Sequence, residues 1–234
     1  MTNKNGCLIC GSELTYLDEE VEVNCYFCNK TFKTKTICDE GHYVCDSCHS
    51  KEGIDAIISY CLESKSKDPI FILNEIMENP FIYMHGPEHH VMVGAALLTA
   101  YANAGGDINL EKALKDMKIR GGQYPGGSCG FWGTCGAAVS LGMFLSIITQ
   151  STPLSTESWG IINRGTGRAL DEIGKLGGPR CCKRNSFTAA LTGADYVLEN
   201  FGVKMDIPDQ VTCRFFRNNR QCLGKRCPYF PNKN

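Results

Sequence analysis

No stretch of this chain reaches the ~20 consecutive apolar residues that a bilayer-spanning helix needs. The longest candidate, residues 139–148, is interrupted by Ser140, Gly142 and Ser146, so no membrane partner is expected. Charge of either sign is not in excess. Twenty-four Lys and Arg stand against 25 Asp and Glu, a formal net charge of −1, so no global field draws the chain to nucleic acid or to a membrane surface. Alternating Val, Ile and Thr is scarce beyond the first 50 residues, which argues against a sheet in the body. The opening MTNKNGCLICG has no apolar leader core, so a cytosolic chain is expected. No internal repeat is convincing.

What is plentiful is cysteine. Fifteen in a cytosolic chain of 234 residues are kept reduced, and an odd count argues against complete pairing. Metal ligation, an iron–sulfur cluster or thiol chemistry remain. Cys7, Cys10, Cys25 and Cys28 form C-x2-C…C-x2-C, and two such knuckles complete a tetrahedral thiolate shell for zinc. Between them LTYLDEEVEVN alternates like a hairpin strand. CDEGHYVCDSCH adds Cys38, Cys45 and Cys48. Its fourth ligand is His42 or His49, and His42 completes C-x3-H-x2-C-x2-C. Sequential and interleaved pairing of the eight ligands both fit. So small a module buries little core, and metal supplies its folding energy. Its one basic cluster, KTFKTK, reads as a solvated face.

From Gly53 onward the period becomes helical, and the fold class is mainly α: a zinc-ribbon-like module (1–52), a helical bundle domain (53–211) and a Cys-rich basic tail (212–234). Six or seven helices are expected. One begins at Asp68-Pro69 as cap and first turn, and one runs from GGSCGFWGTCGAAVS to about Gln150. Cys129 and Cys135 lie at the mouth of that small-residue helix, where the positive helix end favours a thiolate. GGPRCCKRNSF places Cys181 and Cys182 before another helix, among Arg180, Lys183 and Arg184, an electropositive setting for thiolates, a cluster or an anionic substrate. HGPEHH adds His85, Glu88, His89 and His90 at a third helix mouth. The candidate catalytic set is Cys129, Cys135, Cys181, Cys182, His85 and His89, with two small buried apolar cysteines as the bland alternative.

Residues 212–232 of the tail hold Cys213, Cys222 and Cys227 spaced C-x8-C-x4-C, with five Lys and Arg, no acid, and interleaved aromatics. It resembles a CCCH zinc finger, a family that stacks single-stranded RNA on aromatic rings, but Pro231 stands where that family has histidine. Cys181 or Cys182 can supply the missing ligand, or the three cysteines can hold a [4Fe-4S] cluster, since a proline after the last cysteine also occurs in ferredoxin-type runs. The aromatics can equally pack the tail onto the body.

The whole chain resembles an uncharacterised cysteine-rich family of anaerobic archaea and bacteria, through CLIC, CDEGHYVCDSCH, HGPEHH, QYPGGSCGFWGTCGAA and GGPRCCKRNSF. Some members are fused to methyltransferase domains. This chain has no strand–Gly-rich-loop–helix unit for a methyl donor, so methyl transfer is not implied. Residues 126–202 are similar to redox-associated helical proteins with a C…GCAxxG…C…C pattern, through GTCGAAVSLG and CCKRNSFTAALTG. That resemblance implies cysteines converging at one helical site. Three functions follow: a cysteine-based redox or sulfur-transfer enzyme with a small-molecule substrate, a zinc-dependent adaptor binding RNA or a partner protein, and a protein delivering metal or clusters.

Overall fold

The computed structural model describes residues 6–231; the opening of MTNKNGCLICG and the last three residues of the expected tail lie outside the described residues. The alternating segment folds as an antiparallel hairpin of β1 (Leu14–Asn24) and β2 (Thr31–Cys38). Leu14 faces Cys38 at its open end and Asn24 faces Thr31 at its turn. Between Tyr16 and Val21 the register shifts, so that β1 bulges. Asp39 then turns the chain back: Tyr43 packs on Phe32, and its carbonyl accepts from the Tyr26 N–H at 2.8 Å.

The last CxxC leads straight into a helix. Cys45 precedes α1 (Asp46–Glu63) and Cys48 sits in its first turn. The module boundary expected at residue 52 therefore falls inside one continuous helix, and the metal module and the body share it. Then follow α2 (Pro69–Met77), α3 (His89–Asn103), α4 (Leu110–Gly122), α5 (Ser128–Phe131), α6 (Gly136–Ile148), α7 (Glu157–Leu176) and α8 (Cys182–Phe201). α2 starts as read: the Asp68 carboxylate accepts from the N–H groups of Ile70 (2.7 Å) and Phe71 (3.1 Å), satisfying two donors that the first turn leaves free. The single helix expected to run to Gln150 is in fact two. Gly127 (φ 80°) opens α5, and Gly133 (φ 68°) reverses the chain before α6, a backbone state that other residues rarely adopt.

α3 lies at the centre, packed by α1, α2, α4, α6 and α8, and is apolar all round, as a fully enclosed helix must be. Gly94 lets α3 and α6 approach. Its N–H donates to Ser140 Oγ at 2.8 Å, and a Cβ there would strike Met117 and the Ser140 carbonyl. α7 is the outer layer, burying only Gly165, Ala169 and Ile173.

After α8 the tail returns over the body. Asp206 N–H donates to the Lys67 carbonyl at 3.0 Å, and Cys213 N–H to the Tyr229 carbonyl at 2.7 Å, which closes the tail on itself. Phe215 and Tyr229 are buried. Tyr229 meets Phe187 edge-on, and its hydroxyl shares a 2.9 Å hydrogen bond with Thr188.

Candidate functional site

The hairpin decides how the eight N-terminal donors pair. Cys7 and Cys10 precede β1 and meet Cys38 and His42 at the open end. Cys25 and Cys28 form the turn and meet Cys45 and Cys48 on the returning chain. Within each group all donor atoms lie within 4.8 Å of one another, and each group can hold a metal ion. The pairing is interleaved, and His42 is the fourth donor of the first group. The sulfurs of Cys10 and Cys38 are 3.8 Å apart, those of Cys28 and Cys45 3.9 Å, and Cys38 Sγ is 3.5 Å from His42 Nδ1. A zinc–thiolate bond of ~2.3 Å sets a tetrahedron edge of about 3.8 Å, so the spacing fits one ion of that size per group. Backbone N–H groups of Ile9, His42 and Cys45 point at Cys7, Cys38 and Cys25 Sγ at 3.2–3.4 Å, which helps to hold these sulfurs in place. Burial and the neighbouring thiols of Cys45, Cys28 and Cys25 push the Cys48 thiol up to about 12.

His49, the other candidate, belongs elsewhere. Its Nδ1 is 3.6 Å from the Glu88 carboxylate, which is fully buried, lies 3.2 Å from His89 Nδ1 and accepts from the Tyr83 N–H at 3.1 Å. Burial opposes ionisation of Glu88, but the His49 and His89 rings beside it outweigh burial and hold the carboxyl far below its usual range.

Between the hairpin and the helices opens a cleft of about 640 Å³. Cys129 on α5, Cys135 before α6 and Cys182 at the head of α8 line it, together with His85, His89, His90, Arg180 and Asn185. Tyr16, His42, Asp46 and His49 of the module line the opposite wall. Asp46 ties the two sides, accepting from the Gly126 N–H at 2.6 Å and so fixing the glycine-rich loop. Tyr16 meets Phe131 edge-on at the rim, and the Arg180 guanidinium lies over Tyr16 at 5.8 Å. Asn185 Nδ2–H donates to Cys135 Sγ at 3.3 Å. A charge on Cys135 is felt by both Cys129 and Cys182, so these three thiols share one electrostatic neighbourhood.

Two sequence expectations change here. The basic run was read as holding thiolates, but burial dominates: it pushes Cys129 and Cys181 up and Cys182 up to about 12, and Arg180 only partly offsets this at Cys129 and Cys182. Lys183 and Arg184 do not reach the cleft. Lys183 is fully buried, donating to the Ile82 carbonyl at 3.2 Å and lying 5.1 Å over Phe215. The Arg184 guanidinium is buried too, donating to the Gly177 and Pro179 carbonyls and to Asn185. Arg180 is the one of the three on the cleft wall. The histidines are neutral: burial lowers His85 to about 3 and also lowers His89 and His90. His90 Nδ1–H donates to the Tyr124 carbonyl at 2.9 Å, so its Nε2 carries the lone pair, while the buried His89 Nε2 has no partner. Asn185, Asp46 and Tyr124 escape the sequence reading, since nothing in their local spacing marks them.

Cys181 and Cys182 face opposite ways. Cys182 lines the cleft, whereas Cys181 joins Cys213, Cys222 and Cys227 around a separate pocket under the tail. The tail aromatics are engaged in packing: Phe215 and Tyr229 are buried, and Phe216 and Phe230 stack edge-on at 4.9 Å. Arg214 approaches Glu75 and Glu78, and Arg220 approaches Glu13. All fifteen cysteines are free thiols.

The architecture is thus that of a cysteine-rich hairpin module, with two donor groups that can each hold a metal ion, fused through α1 to a helical domain, with a thiol-lined cleft between them. A family model matches residues 57–230, that of DUF5714, a family of unknown function, and the chain belongs to this family. The match takes in the three cleft thiols and the four of the tail pocket, while the eight N-terminal donors precede it. Neither a curated protein nor a solved structure matches the chain. Among the described residues no helix is long and apolar enough to cross a membrane.

Proposed function

We propose that this chain is a thiol-dependent redox or sulfur-transfer enzyme of the reducing cytosol, acting on a small molecule in the cleft, with zinc in both N-terminal shells. Zinc is supported by the donor sets, one of four cysteines and one of three cysteines and a histidine, and by sulfur spacings near 3.8 Å. The observation that supports the catalytic reading is that Cys129, Cys135 and Cys182, from three separate segments, line one cleft together with His85, His89 and His90.

Cys135 is the nucleophile in this reading. It stands at the N-terminus of a 13-residue helix, and its sulfur accepts from Asn185. His90 Nε2 is a neutral base on the same wall. Attack on a disulfide forms a mixed disulfide and releases one substrate thiol. Cys129 or Cys182 then displaces the second, leaving a protein disulfide that an external dithiol reduces. Attack on the sulfane sulfur of thiosulfate instead breaks its S–S bond, releases sulfite and leaves a persulfide on Cys135. Arg180 favours an anionic substrate. The RNA adaptor alternative draws less support, because the aromatic rings that would stack bases are packed on the body or on each other.

The test is adduct mapping. Reduced protein is exposed to oxidised glutathione or to thiosulfate, and peptide masses are read. The adduct is expected on Cys135, absent in Cys135→Ser and accumulating in the double variant Cys129→Ser/Cys182→Ser, which has no resolving thiol. Adducts spread evenly over the free thiols, or none on Cys135, would discard the reading.

A further inference from the structure

The pocket under the tail is lined by four cysteines that come from two distant segments: Cys181 ahead of α8, and Cys213, Cys222 and Cys227. Backbone N–H groups are aimed at three of the sulfurs, from Arg184 to Cys181 (3.5 Å), Phe215 to Cys213 (3.4 Å) and Gly224 to Cys222 (3.4 Å). Such donors stabilise ligating thiolates in the same way as in the N-terminal shells. The remaining walls are mostly apolar, from Met84, Phe215, Phe216, Leu223 and Phe230, with Arg184, Asn219 and Tyr229 as their polar members.

The spacing separates this site from the N-terminal ones. Among the described residues, only the two N-terminal groups bring three or more donor atoms within 4.8 Å of one another. The four tail sulfurs are more spread. The space they line, about 20 Å³, also admits a water-sized body. The centre of a zinc–thiolate tetrahedron does not, lying only ~2.3 Å from each sulfur. An iron–sulfur cube places its irons and sulfides between its four thiolates and so holds them farther apart than one ion does. Four thiolates on such a cube leave net negative charge, and the surrounding tail is basic, with no acid after Asp209.

We propose that Cys181, Cys213, Cys222 and Cys227 ligate a [4Fe-4S] cluster, with Cys181 the fourth ligand that the tail's three-cysteine run lacks. The cluster clamps the tail to the head of α8. It also stands one residue from Cys182, on the far side of that backbone from the cleft. The cluster does not depend on the catalytic reading, and the Cys182→Ser variant separates the two.

The experiment is anaerobic isolation of the full chain, reconstituted with ferrous iron and sulfide in the presence of zinc, followed by metal and labile-sulfide analysis. About four iron and four sulfide per chain are expected beside two zinc, with brown visible absorption and a paramagnetic signal after dithionite supplies one electron. Cys181→Ser and Cys222→Ser should each lower bound iron at least about tenfold, whereas Cys182→Ser should retain it. Full iron in Cys181→Ser, or a third zinc with no iron in the wild-type chain, overturns the assignment. The wild-type analysis decides the matter even where a variant fails to fold.

Discussion

Interleaved pairing makes a prediction that sequential pairing cannot share. In the folded hairpin Cys10 and Cys38 belong to one donor group, and Cys28 and Cys45 to the other. Four single variants, Cys10→Ser, Cys28→Ser, Cys38→Ser and Cys45→Ser, therefore sort into two classes across the sequence order. Cobalt substitution reads the classes directly, because an S3N shell and an S4 shell absorb differently. Cys10→Ser and Cys38→Ser should both leave only the S4 spectrum, and Cys28→Ser and Cys45→Ser only the S3N spectrum.

The size of the effect follows from the module's poverty in core. Its buried apolar residues are Cys7, Cys25, Cys38 and Cys45, all metal donors. Structural zinc in small modules contributes ~10–16 kcal/mol, as much as the whole net stability of an ordinary domain. Losing one shell should therefore unfold its end of the hairpin. Loss of the Cys25–Cys48 shell should also reach the body, because Cys48 lies in the first turn of α1. Limited proteolysis should cut residues 24–45 in Cys28→Ser but spare residues 69–201. Should Cys10→Ser and Cys28→Ser remove the same ion while Cys38→Ser and Cys45→Ser remove the other, the pairing argument fails.

Gly94→Val should lower stability by about 1–3 kcal/mol through overpacking against Met117 and Ser140, read as a fall in thermal midpoint of roughly 3–10 °C. Tyr229→Phe should cost about 1 kcal/mol in denaturant unfolding by deleting the buried hydrogen bond to Thr188, with metal content unchanged. Glu88→Gln should destabilise by about 1–3 kcal/mol at neutral pH, because a neutral amide replaces the buried carboxylate that accepts from the Tyr83 N–H and faces His49 and His89. The folded-state value of Glu88 is depressed, so its contribution is complete above the unfolded value of 4.5 and is lost as pH falls below it. The gap between wild type and Glu88→Gln, measured in denaturant, should narrow in acid; a constant gap would show that the carboxylate charge is not what matters.

The donors of the metal module are legible in the sequence because CxxC spacing is local chemistry, whereas their pairing is not, because it depends on how a bulged hairpin lets the chain double back from Cys38 to Cys45. The cap at Asp68-Pro69 is legible for the same local reason. The break between α5 and α6 is hidden, since glycines in a small-residue run read as helix packing until Gly133 is seen at positive φ. The charges of Lys183 and Arg184 mislead because sequence shows a cation but not where it points. Here both side chains turn inward to carbonyls and an aromatic ring. That Cys181 and Cys182 serve different sites follows from their adjacency at the head of α8. Which one turns to the cleft emerges only from the packing of the tail.

The cleft exists only because the metal module stands opposite the helices. Its thiols come from the region that the family model matches, but Tyr16, His42, Asp46 and His49 come from before residue 57. Three contacts hold that wall in place: Asp46 to the Gly126 N–H, His49 to Glu88, and Arg180 over Tyr16. Two of the residues concerned, Asp46 and His49, flank Cys48 in the first turn of α1, so an ion held by Cys25, Cys28, Cys45 and Cys48 would also set the position of the glycine-rich loop that leads into α5 and Cys129. A chelator strong enough to strip that shell acts on the cleft without touching its thiols. Its expected signature is faster alkylation of Cys129 and Cys182, whose thiols burial now suppresses. Alkylation of Cys61, fully buried in α1 within the body, serves as the internal control and should stay slow. If Cys129 and Cys182 kept their rates after the shell was emptied, the module would be an appendage and the helices alone would shape the site.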